Sequence, residues 1–230
     1  MNKKKNFKPI ALAIGLLFNS AVLMAQTPQQ APASAPAQAA PQAAKTYPEP
    51  FDRDGATKVF ENDRVKVWEV SWLPKAYPTH KHLYDYAGVY YTNGDRVVVS
   101  EQGQRSPTHS TAWDTFFYRK NVTHSEEGVG TDVLRAVFLE LKEPAAVGGA
   151  TTASTGLGTQ KGRESNRLIT WEDIAAPGTQ LHAQAHQHEN DAVVVAFKGQ
   201  KPTIRFVKRG TEDKGKETAG ADRVYTFELK

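Results

Sequence analysis

Cysteine is missing from the 230-residue sequence, and its absence excludes several kinds of chemistry. A chain without thiols has no disulfides, no thiolate metal ligands and no cysteine nucleophile. The sequence also lacks a phosphate-cradling glycine loop, a dinucleotide-binding fingerprint and a Ser-His-Asp arrangement. No stretch shows a sustained helical period, so the pattern favours β-structure.

An excess of basic charge is also absent once the first 25 residues are set aside. The chain carries 29 Lys and Arg against 25 Asp and Glu. Four of the lysines lie in the first 25 residues, which contain no acidic side chain, so 25 basic groups face 25 acidic ones in the remainder. This balance argues against a general polyanion-binding surface, and we expect no nucleic-acid partner.

Residues 1–25 have the parts of a secretory signal. A lysine-rich start precedes an apolar stretch from Ile10 to Met24, and Ala25 offers a small residue before the predicted cleavage. About fifteen mixed residues are short for a bilayer span. We therefore expect a periplasmic or secreted protein whose mature form has no integral membrane span.

Two low-complexity segments divide the remaining chain. Residues 26–50 are rich in Ala, Pro and Gln and predict a disordered linker, and residues 143–166 predict a second flexible linker. They leave two units, residues 51–142 and residues 167–230, which we call the first and second repeat. Both are rich in β-branched and aromatic runs, and Asn93-Gly94 in the first repeat is a strong hairpin signal.

The two units align with each other, which indicates an internal duplication. Residues 115–142 match residues 203–230 without a gap at an offset of 88, whereas the upstream match has an offset of 106. The second repeat is therefore shorter by 18 residues, lost opposite residues 95–114 of the first repeat. A loss of this size predicts that the second repeat lacks about two strands.

The sharpest chemical feature is the pair His80 and His82 in the first repeat. Residues i and i+2 of a strand project to the same face, so two imidazoles would converge on one point. His124 follows the predicted strand Thr115–Tyr118 and could add a third imidazole. Three neutral imidazoles at about 2.0–2.2 Å would hold a divalent metal and leave positions open. A His-x-His pair also occurs by chance on exposed strands, but here it recurs at His186 and His188 in the second repeat.

This pattern resembles the cupin superfamily, specifically its small bicupins. The first cupin motif places a glycine, then His-x-His, then a glutamate; Lys75 stands at the glycine position and Tyr86 or Ala87 at the glutamate position. Of the second motif, Pro-x-Gly-x-x-His, only His124 is retained. The resemblance covers residues 58–142 well and residues 167–230 poorly.

The resemblance implies an all-β, duplicated, jelly-roll double-stranded β-barrel with a truncated second copy. It implies a central divalent transition metal (Fe, Mn, Ni, Cu or Zn) held by His80, His82 and His124. Asp85 has the opposite strand parity to the histidine pair, so a carboxylate ligand is less expected than a site of three histidines. The trimmed second repeat would leave bare edge strands, which favour a homodimer.

Two kinds of function follow. The first is metal-dependent oxidoreductase chemistry (an oxygenase), or isomerase or decarboxylase chemistry, on a small molecule, with Tyr84, Asp85 or Tyr86 as a nearby proton donor or acceptor. The second is a non-catalytic module that binds a small ligand or a metal, or that packs structurally, and the degraded motifs favour it.

The second repeat offers a further candidate site. His186 and His188 are kept there, and in the ungapped alignment Glu212 stands where His124 stands in the first repeat. Two histidines and a carboxylate form a known metal-binding set. The alternative is a vestigial unit that covers or completes the first barrel.

Overall fold

The computed structural model describes residues 45–142, 160–176, 181 and 185–230. The predicted signal, residues 26–44 of the predicted first linker and residues 143–159 of the second lie outside the described residues. Among the described residues, no helix is long and apolar enough to cross a membrane.

The first repeat consists of two antiparallel sheets. The larger has the strand order β1-β2-β9-β4-β7 and the smaller the order β3-β8-β5-β6. The strands are β1 Ala56–Glu61, β2 Val65–Trp72, β3 His80–Lys81, β4 Asp85–Tyr90, β5 Gly94–Ser100, β6 Arg105–Ser110, β7 Thr115–Tyr118, β8 Thr123–Val129 and β9 Leu134–Leu141.

The second repeat copies the larger sheet but shortens the smaller one. Its sheets have the orders β10-β11-β16-β13-β14 and β12-β15. Its elements are β10 Gln160–Glu164, β11 Leu168–Ile174, β12 His186–Gln187, β13 Asp191–Lys198, β14 Lys201–Val207, β15 Glu212–Asp213, a 3-10 helix Lys216–Thr218 and β16 Arg223–Leu229. Within the described part of this repeat, β5 and β6 have no counterpart. The predicted truncation is therefore confirmed, and it removes one hairpin.

The all-β, cupin-like fold is confirmed, with one refinement of its shape. The two sheets of the first repeat are not closed into a continuous barrel, and an isolated bridge joins Ala76, which belongs to none of the named strands, to Glu127 of β8. The arrangement is a two-layer, jelly-roll-like sandwich. Closure is incomplete because strands such as β1 and β7 end the larger sheet as edges.

The linker assigned to residues 143–166 is too long at its carboxyl end. Residues 160–164 form β10, which pairs with β11 through Gln160 opposite Glu172 and Lys161 opposite Trp171. The polar composition of this segment suggested a linker. It forms a strand nevertheless, because an edge strand is held by its ladder of main-chain hydrogen bonds and need not be apolar.

The duplication extends to individual side chains. Trp68 and Trp171 occupy matching places in β2 and β11, and each indole donates a hydrogen bond to a glutamate of the last strand of its repeat. Trp68 Nε1 lies 2.9 Å from Glu140 Oε2, and Trp171 Nε1 lies 3.1 Å from Glu228 Oε2. The two repeats thus share a polar contact between side chains as well as a strand order.

Alternate faces of the larger sheets build two kinds of core. In β2, Trp68 and Val70 pack inside the first repeat with other aromatic residues, whereas Val65 and Val67 point the other way. The outward-facing residues join Leu168 and their counterparts from the second repeat in one buried cluster. The two large sheets therefore share a core, so each repeat covers an apolar face of the other.

Two arginines cross between the repeats in a reciprocal way. Arg64 precedes β2 and binds Asp191 of the second repeat at 3.0 Å, while Arg167 precedes β11 and lies 3.6 Å from Asp85 of the first repeat. Each arginine also donates to main-chain carbonyls at the end of the other repeat's last strand. These reciprocal contacts resemble those across the two-fold axis of a homodimer, but here they join two repeats of one chain.

We predict that Arg167→Ala lowers the free energy of unfolding by on the order of 3 kcal/mol, because it removes a partner from the buried Asp85 carboxylate. The matched control is Arg105→Ala, whose side chain is 57% exposed and pairs with Glu127, and whose loss should cost less than about 1 kcal/mol. Urea unfolding of both variants measures the difference. Equal effects would contradict a stabilising contact between the repeats.

Candidate metal centre

The pairing of β3 with β8 brings the three predicted histidines together. His80 lies directly opposite His124 in this antiparallel ladder. His82 follows β3, and its main-chain N–H donates to Val122 O at 2.9 Å. The ring centroids are 4.7 Å apart for His80 and His124, and His82 lies 5.1 Å from each. One nitrogen from each imidazole lies within 4.8 Å of the others.

The hydrogen bonds of the imidazoles leave donor nitrogens available. His80 Nδ1 lies 3.1 Å from the carbonyl oxygen of Pro78. A carbonyl can only accept, so this Nδ1 carries the proton and the Nε2 lone pair is free for a metal. The Nδ1 of His82 is buried and has no hydrogen-bond partner among the described residues. An unpaired buried nitrogen is unusual and marks a place where a ligand is expected.

Burial keeps these imidazoles neutral at ordinary pH. Desolvation, with added repulsion from His124, lowers the pKa of His80 to about 4. Desolvation and the neighbouring imidazoles lower the pKa of His82 to about 2, and burial lowers the pKa of His124 as well. Neutral imidazole is the form that binds metals. The donor set, its spacing and its protonation state therefore fit a divalent transition metal.

A cavity of about 210 Å³ adjoins the histidines. Aromatic side chains supply much of its wall: Phe51, Tyr86, Tyr90, Tyr118 and Phe138. The Tyr86 ring stacks on the His82 ring with centroids 4.0 Å apart. Tyr118 and Val122 both line the cavity and are partly exposed to solvent, which places its entrance between β7 and β8.

The three predicted proton donors lie in different places. Tyr86 lines the cavity, and burial raises its pKa far above the usual value, so its hydroxyl stays protonated. Tyr84 is not among the lining residues, and its ring lies 5.3 Å from Lys66 Nζ. Asp85 accepts hydrogen bonds from Lys120 N at 2.8 Å and from Arg119 at 3.2 Å. The interpretation of Asp85 as a proton donor is corrected, because its strand parity turns it to the contact with the second repeat.

Glu126 and Arg96 belong to the cavity wall and were missed by the sequence analysis. Glu126 lies two residues after His124 on β8, so strand parity alone could have identified it. Its Oε2 accepts from Trp72 Nε1 at 2.8 Å, and its Oε1 lies 3.2 Å from Arg96 Nε. Arg96 also donates to Ser110 Oγ and to the Tyr90 hydroxyl, both at 2.9 Å.

The second group of histidines has a different acidic member from the one predicted. His186, His188 and Asp213 each place one donor atom within 4.8 Å of the others, whereas Glu212 is exposed. In the ladder of β12 and β15, His186 lies opposite Asp213, as His80 lies opposite His124. The ungapped alignment is therefore one residue out of register at this point, and Glu212 is corrected to Asp213.

Asp213 is already engaged by cationic and polar groups. Arg205 Nη2 lies 2.5 Å from its Oδ2, His188 Nε2 lies 3.3 Å from the same oxygen, and the Gly215 N–H donates to its Oδ1 at 2.9 Å. Although burial opposes it, these contacts hold the pKa of Asp213 well below the usual value and raise that of His188. The donor set could hold a metal, but a guanidinium so close would repel a divalent cation.

We predict that Asp213→Asn lowers the free energy of unfolding by about 3 kcal/mol, because the buried His188 and the partly buried Arg205 each lose one negatively charged neighbour. Glu212→Gln, at the neighbouring exposed position, should change it by less than about 0.5 kcal/mol. Urea unfolding followed by tryptophan fluorescence measures both. A larger loss of stability from Glu212→Gln than from Asp213→Asn would contradict the assignment of Asp213 as the acidic member of the group.

Comparisons with known proteins show that this chain is similar in fold to several solved structures. No protein-family model matches the chain, and no curated protein does. AerE from Microcystis aeruginosa matches with a TM-score of 0.51 at 11% identity, over 76% of this chain and 97% of that one. A cupin 2 conserved barrel domain protein from Leptotrichia buccalis matches with a TM-score of 0.43 at 13% identity, over 76% and 88%. A cupin domain from Bordetella pertussis Tohama I matches with a TM-score of 0.36 at 26% identity, over 40% and 98%.

The fold is cupin-like. Double-sheet jelly rolls of antiparallel strands are the architecture of cupins, and both repeats are built on it. His80 on β3, His82 directly after it and His124 on β8 lie close together, as the described residues show.

Proposed function

We propose that this protein is a cupin module that binds a divalent transition metal through His80, His82 and His124 and admits a small molecule to the adjoining cavity. The observation that carries the proposal is the convergence of three neutral, largely buried imidazoles beside that cavity. Fe, Mn, Ni, Cu and Zn all accept imidazole ligands.

A metal bound by three histidines would supply a Lewis acid with open coordination positions. The chain's own residues would prepare the cavity around it. The aromatic wall excludes water, and the stacked Tyr86 ring fixes the orientation of His82. The Tyr86 hydroxyl remains a proton donor, because its burial opposes ionisation.

Catalysis of an oxygenase, isomerase or decarboxylase reaction is the more specific form of this proposal. A non-catalytic binding module is the second candidate, and one observation favours it. Both oxygens of Glu126, the acidic residue in the cavity wall, are already engaged by Trp72 and Arg96. A carboxylate held in this way is poorly placed to exchange protons. Turnover of small acids or aromatic compounds by the metal-loaded protein would decide for the enzyme.

We predict that the metal-free protein takes up about one equivalent of Co²⁺ or Zn²⁺ per chain through its histidine site. His80→Ala and His124→Ala should each weaken this binding by more than about 100-fold, since they remove a direct ligand. Calorimetric titration and elemental analysis measure affinity and stoichiometry.

Two control variants separate this site from other imidazoles. His109→Ala removes an exposed imidazole that pairs with Asp95, and His186→Ala removes a member of the second group. Both should keep the full equivalent of metal. A wild-type protein that takes up no metal would contradict the proposed function, and loss of metal in His186→Ala alone would move the site to the second repeat.

We also propose export, on the basis of the signal-like first 25 residues. Expression of the full sequence in a Gram-negative host should yield a periplasmic chain that begins at Gln26 or a few residues from it. Intact-mass measurement of the periplasmic and cytoplasmic fractions tests this. A chain that keeps residues 1–25 and remains in the cytoplasm would contradict it.

A further inference from the structure

The cavity beside the histidines points to a particular class of ligand. We propose that it takes a small organic anion, a carboxylate on an apolar body the size of one aromatic ring, and that Arg96 receives the carboxylate. This inference rests on the proposed metal site and adds a ligand class to it.

The first step concerns the hydrogen-bonding capacity of Arg96. A guanidinium has five N–H donors. Arg96 Nε lies 3.2 Å from Glu126 Oε1 in an ion pair, while one donor of Nη1 bonds to Ser110 and one donor of Nη2 bonds to Tyr90. One N–H on each terminal nitrogen is left without a hydrogen-bond partner among the described residues. The residue is only 7% exposed and lines the cavity, so these donors need a partner that enters it.

The contacts of Arg96 also fix its position. Its guanidinium lies 5.0 Å from the Trp72 ring centroid and 5.3 Å from the Tyr90 ring centroid, between two walls of the cavity. A planar fork held in this way is prepared to bind a carboxylate through two parallel hydrogen bonds. Little side-chain entropy is then lost when the ligand enters.

The second step concerns charge. Arg96 and Glu126 are the charged side chains of the cavity lining, and they balance each other. Ligating imidazoles are neutral, and the position of the usual cupin glutamate is occupied by Tyr86 or Ala87. The two positive charges of a divalent metal would therefore not be neutralised by the protein, in a region of low dielectric constant. An anionic ligand supplies the missing counter-charge.

The third step concerns size and shape. The cavity measures about 210 Å³, whereas an engineered apolar cavity of about 150 Å³ binds benzene. The difference leaves room for one carboxylate beside one ring. Flat rings on the Tyr86, Tyr118 and Phe138 walls match an aromatic or similarly flat body, and they gain affinity by stacking.

The experiment measures binding of benzoate to the full chain by calorimetry, in the metal-free form and after loading with Zn²⁺. Benzamide has nearly the same shape without the charge, acetate lacks the ring, and 2-naphthoate has a second ring. We expect benzoate to bind the loaded protein roughly tenfold more tightly than benzamide, because charged hydrogen bonds are the stronger ones. Acetate and 2-naphthoate should both bind more weakly than benzoate.

The decisive variant is the double substitution Arg96→Gln with Glu126→Gln. It removes both charges of the pair, so neither is left buried alone. We expect the metal-free variant to lose the preference for benzoate that the metal-free wild type shows, with its Zn²⁺ uptake unchanged. Arg105→Gln on the neighbouring strand β6 is the matched control and should bind benzoate like the wild type.

The outcomes separate this inference from the proposed function. Equal affinity for benzoate and benzamide, or a preference that survives in the double variant without metal, would overturn the assignment of Arg96 even if Zn²⁺ binds. Failure to bind Zn²⁺ would overturn the metal site, and a preference for benzoate that depends on Arg96 would then still support the anion pocket.

Discussion

The short ladder between β3 and β8 is the interaction on which the candidate site depends. β3 has only two residues, so its position is set by pairing with β8 and by the main-chain bond from His82 to Val122. This pairing places His80 opposite His124 and leaves His82 one strand period away on the same side. The neutral state of the imidazoles follows from the same placement, since it buries them.

The second repeat has the corresponding ladder between β12 and β15, but with different side chains. There Asp213 faces His186, and Arg205 supplies the neighbouring cation. The second repeat has no counterpart of β5 and β6 in its described residues. In the first repeat, those strands contribute Arg96, Val98 and Thr108 to the cavity wall. In the described residues, loss of one hairpin therefore removes the counterparts of these cavity residues, while the large sheet and the shared core are kept.

The features that could be predicted from the sequence are those that follow from the strand periodicity and from the internal repeat. The histidine pair, the later histidine and the 18-residue deletion each leave a signal in the order of residues. The ungapped alignment points to Glu212, whereas the structure groups Asp213 with the histidines, because an ungapped alignment cannot reveal a shift of one residue. Strand β10 was missed because the pairing that forms it is not encoded in its own composition. Arg96 carries no local signal, since its role depends on where β5 packs.

The reciprocal contacts of Arg64 and Arg167 have a consequence for how the protein behaves on dilution. Two separate copies of a single jelly roll would cover each other's apolar faces only at protein concentrations above the dissociation constant of their dimer. Here the covering partner is joined covalently, so the local concentration of one repeat around the other does not depend on how much protein is present. The two repeats of one chain pair with each other as two subunits of a dimer would. The shape of the histidine-lined cavity therefore does not depend on the protein concentration.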